Sequence, residues 1–159
     1  MCTLRNYPYN LDHTIERARD VFHGFFCDGT LDFASLVKDP KGFVDAELKE
    51  AGNMAGGVKD KFDFLHKLSA AWPKRDLQSF VNVARQLYQD NFYDEIAQLL
   101  YCFPADFKDE NGRIFWSAPK RAPHVIAFDA EDEMSFFFIR SIVTILSDAF
   151  GVKQSFNDA

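Results

Sequence analysis

The chain has 159 residues, of which 47% are hydrophobic and 26% charged, with eighteen phenylalanines and a formal charge of -6. That composition fits one hydrophobic core and lies outside the disordered and low-complexity ranges. No apolar run exceeds five residues, far short of the roughly 20 residues of a membrane span, and the first residues lack a signal-peptide core. No membrane and no nucleic-acid partner is expected. Phosphate binding depends on clustered Lys and Arg, and the basic runs are no longer than Pro73-Lys74-Arg75 and Pro119-Lys120-Arg121. Three cysteines, Cys2, Cys27 and Cys102, form neither a disulfide framework nor a C-x-x-C pair, which suits a reducing compartment and free thiols.

The first ten residues read as an irregular or extended lead-in, ended by Asn10 as a helix cap. Leu11, Ile15, Ala18, Phe22 and Phe26 then recur at helical spacing and predict an amphipathic helix with these residues inward. A short second helix is expected from Thr30 as cap through Phe33, Leu36 and Val37, stopped near Pro40. A third carries Phe43, Val44 and Leu48, and a loop runs from Gly52 to Gly57.

From Val58 the stripe Phe62, Leu65 and Leu68 predicts another helix, ended at Trp72-Pro73. Asp76 caps the next, with Leu77, Phe80, Val81, Ala84, Leu87 and Tyr88 inward. It extends past Asp94 through Ile96, Leu99 and Leu100 to Pro104. Between Phe103 and Phe128 the Pro, Asp and Asn-Gly content predicts a long loop. The last helix comes after an acidic start, Asp129 to Glu133, and ends before Gly151, with Phe138, Ile142, Ile145 and Ala149 inward and Met134 and Leu146 alongside. The fold class is therefore mainly α: a single helical domain of about six helices, with one long irregular segment and at most two short strands.

The only glycine cluster, Gly52 to Gly57, lies between helices and lacks a phosphate-binding fingerprint, so no ATP site is expected in this chain. His23 and Cys27 are four apart on one helix but lack a second ligand pair, so no metal site is expected. Cys27 and Cys102 fall on or beside apolar stripes and read as inert. Cys2 lies outside every predicted core stripe, in Cys2-Thr3-Leu4-Arg5-Asn6, where a thiol is accessible for reaction. A cysteine peptidase would also need an oriented histidine base, and the surroundings of His124 identify no orienting partner. Two readings stay open on the residues alone: a reactive thiol at Cys2, or a non-catalytic helical interaction module in which Cys2 is incidental.

Three stretches carry a family likeness. They are Cys2-Thr3-Leu4-Arg5-Asn6-Tyr7-Pro8 with Asp12-His13-Thr14-Ile15 and Ala18-Arg19-Asp20, then Gln98-Leu99-Leu100 with Phe103-Pro104 and Asp106, then Phe115-Trp116-Ser117-Ala118-Pro119-Lys120-Arg121 with Pro123-His124 and Phe128-Asp129. In this combination and order the chain resembles the second catalytic-cysteine half-domain of ubiquitin-activating enzymes over almost its whole length. Residues 28 to 75 match only in helical character and in the Asp39-Pro40-Lys41 turn.

The resemblance implies a half-domain over residues 1–159, with an active-site lead-in at 1–10, a helical body at 11–151 and a tail toward an adenylation domain at 152–159. It implies that Cys2 is the nucleophile that accepts ubiquitin from ubiquitin adenylate as a thioester and passes it to a conjugating-enzyme cysteine, with supporting roles for Thr3 and Arg5. ATP and magnesium would serve the parent's adenylation domain, with no cofactor in this chain. Partners would be ubiquitin, conjugating enzymes and that adenylation domain, in the cytoplasm and nucleus. The adenylation and ubiquitin-fold parts of the family are absent from this sequence, so the isolated chain is expected to be inactive.

Overall fold

Asn10 starts the first helix of the computed structural model, which describes residues 10–51, 55–118 and 120–153. Its extended backbone (φ -132°, ψ 170°) lets the side-chain oxygen accept the His13 N–H, satisfying one orphan donor of the first turn. Helix α1 (Leu11–Phe22) runs without a break through a π-helical stretch (His23–Asp28) into α2 (Gly29–Lys38). Thr30 is therefore not a cap. Its hydroxyl instead donates back to the Phe26 and Cys27 carbonyls at 3.0 Å each, within one continuous rod. Gly29, just before that expected cap, is needed for space. A Cβ there would meet the Phe64 ring at 2.5 Å, and that ring is stacked on Phe25.

The π-helical stretch also corrects the inward stripe predicted for α1. A widened turn shifts the register of the residues after it, so Phe25 and Phe26 pack against the core while Leu11, Ile15, Ala18 and Phe22 are all exposed. No residue of α1 is buried.

Asp39 accepts the Gly42 N–H at 3.0 Å and caps α3 (Pro40–Ala51), with Pro40 at the first position, where a missing N–H costs nothing. Leu48, predicted inward, is exposed. Helix α4 (Ala55–Ala71) begins inside the expected glycine loop, so Gly56 and Gly57 belong to its first turn. Lys61 of α4 joins Glu47 (2.8 Å) and Asp32 (3.2 Å), tying α2, α3 and α4 together. Burial opposes its charge, but the hydrogen bonds to Glu47 and Asp32, with the charges of both carboxylates, outweigh it and raise its pKa.

Helix α5 (Leu77–Gln89), a second π-helical stretch (Asp90–Asp94) and α6 (Glu95–Cys102) form another continuous rod, ended before Pro104. After the long segment comes α7 (Glu133–Ala149), closed by Gly151 at φ +67°. The described residues thus contain five helical rods, a mainly α fold. Their only β pairing is an isolated antiparallel bridge between Lys108 and Ile114.

The core forms where α4, α5 and α7 meet, around Leu65, Leu68, Phe80, Ala84, Leu87, Val143 and Leu146, with Phe33 of α2 closing one end. The α5 stripe is as predicted, with Val83 added. On α7 the buried face is Ser135, Ile142, Val143, Leu146 and Ser147, whereas Ala149 and Met134 are exposed. Phe150 explains part of that rotation: its ring packs on Phe80, Trp72 and Phe33, so the helix is anchored from just past its end.

The irregular segment is held by aromatic rings. Phe103, Phe107 and Phe115 pack together, Trp116 Nε1 donates to the Phe103 carbonyl at 2.9 Å, and Lys120 lies 4.4 Å from the Phe115 ring centre. Phe115 and Trp116 therefore pin the loop. Further along, Phe128 sits edge-on to Tyr88 and under the Arg85 guanidinium at 3.5 Å, and Tyr88 hydroxyl shares a buried 2.9 Å hydrogen bond with Ser135.

Asp132 caps α7. Hydrogen bonds from the Ser135 backbone N–H and then its side chain hold the Asp132 carboxyl below its ordinary pKa. A depressed folded-state pKa contributes stability that is present above the unfolded value and lost as pH falls through the folded one. Asp132→Asn, which keeps an acceptor but no charge, is expected to cost little at neutral pH and to flatten the acid limb of stability. Urea midpoints measured from about pH 7 to about pH 2 check this.

Candidate active-site approach

Cys2, Thr3 and Arg5, the residues predicted to carry the chemistry, lie outside the described residues, as does the lead-in up to Tyr9. What is described is the anchor from which that lead-in departs. Asn10 fixes the start of α1, and its carbonyl accepts the Thr14 hydroxyl at 3.1 Å. One turn on, Arg17 Nη2 donates to Glu95 Oε2 at 2.9 Å, clamping α1 to α6. Both side chains are at least a third exposed, so the pair positions more than it stabilises. No local sequence signal reveals the clamp, because its partners are 78 residues apart.

The other thiols are described. Cys27 sits half-buried in the first π-helical stretch, and Cys102 is exposed at the end of α6 rather than covered by the apolar stripe beside it. The His23 imidazole turns to Asp28 at 3.2 Å, in an exposed pair. Among the described residues no three His, Cys, Asp or Glu side chains gather to hold a metal, and no helix is long and apolar enough to cross a membrane. His66 and His124 are exposed and separate.

A family model described as "Ubiquitin-activating enzyme, SCCH domain" matches residues 8–159. The chain belongs to this family. It is 31% identical over 154 residues to ubiquitin-activating enzyme E1 1 of Candida albicans, covering 97% of this chain and 14% of that protein. It is 30% identical over all 159 residues to ubiquitin-activating enzyme E1 1 of Schizosaccharomyces pombe, covering 15% of the relative. Against human ubiquitin-like modifier-activating enzyme 1 the identity is 30%, over 98% of this chain and 14% of the relative. The chain therefore spans about one-seventh of the length of the curated relatives it matches. Its described part is a mainly helical body.

Proposed function

We propose that this domain is the thiol acceptor of a ubiquitin-activating enzyme, with Cys2 as the nucleophile. The observation that carries the reading is the alignment with a ubiquitin-activating enzyme over all 159 residues, which includes the Cys2-Thr3-Leu4-Arg5 segment. Cys2 thiolate attacks the acyl carbon of ubiquitin adenylate. The new C–S bond forms, the C–O bond to AMP breaks, and AMP leaves with the electron pair. A cysteine of a conjugating enzyme then attacks the same carbon and releases Cys2. One thioester replaces another, so the transfer is nearly balanced in energy. Arg5 favours the thiolate by its charge, and Thr3 donates to the developing oxyanion. ATP and magnesium serve adenylation in a separate domain of the parent, and the reading places the protein in the cytoplasm and nucleus.

The test is site mapping. The full-length enzyme carrying this domain is loaded with ubiquitin, ATP and magnesium, digested under acidic conditions, and sequenced by mass spectrometry. The acyl group is expected on the fragment containing Cys2. Its recovery on Cys102, the exposed thiol, or on Cys27 would overturn the assignment.

A further inference from the structure

We draw no further inference here: the strongest candidate, the exposed apolar stripe of Leu11, Ile15, Ala18 and Phe22 along α1, carries nothing, because nothing in the structure shows what covers it in a chain that spans about one-seventh of the length of its relatives.

Discussion

Replacing Leu146 by alanine is expected to lower the stability of the domain by about 2–5 kcal/mol, a large share of the roughly 5–15 kcal/mol typical of a whole domain. Leu146 is fully buried on α7, in the same continuous core as Val83 and Leu87 of α5 and Leu68 of α4. Truncation removes three carbons and leaves a cavity that this packing only partly closes. At this chain length the loss corresponds to a fall in Tm of about 5–15 °C. Met134→Ala on the same helix is the control. Met134 is 72% exposed, and its truncation is expected to stay within about 0.5 kcal/mol. Thermal unfolding of the two variants checks the buried face of α7 directly, since equal effects would contradict it.

Much of the fold is legible because its signals are local. Asn10 and Asp76 both stand as helix caps, each accepting from the backbone N–H three residues on. Trp72-Pro73 and Pro104 end their helices, and Gly151 takes the left-handed conformation just past α7. The α5 stripe is legible for the same reason: one uninterrupted α-helical period over a face that packs on two neighbours.

The features that escape the sequence depend on distant contacts. Periodicity places apolar residues on one face but does not say which side the body lies on. In α1 the body lies on the polar side, where Arg17 meets Glu95, and past the π-helical stretch Phe25 stacks on Phe64. The same limit misplaces Leu48 and Ala149. A new helix is expected from Thr30 because the Phe64 ring that needs the space at Gly29 lies 35 residues away. The irregular segment shows its turns but not its anchors, since the Phe103, Phe107 and Phe115 cluster and the Trp116 hydrogen bond form only when the loop closes. For the candidate site, the identity of the thiol rests on the motif around Cys2 and on family membership, while the described structure supplies the anchor at Asn10 and the clamp between Arg17 and Glu95.

Exchanging one atom tests the acyl-carrier role of Cys2 most directly. In the full-length enzyme, Cys2→Ser replaces sulfur by oxygen at the acceptor and leaves Cys27 and Cys102 in place. Serine is a far weaker nucleophile at neutral pH, so loading slows. The ubiquitin that does load is held as an oxygen ester, whose transfer to a thiol is uphill. The adduct is then followed on denaturing gels with and without thiol reductant, together with transfer to a conjugating enzyme. The expected result is an adduct that survives reductant and is not passed on, with adenylate formation unchanged. An adduct in the serine variant that reductant still releases, formed and transferred at the unmodified rate, would contradict the role assigned to Cys2.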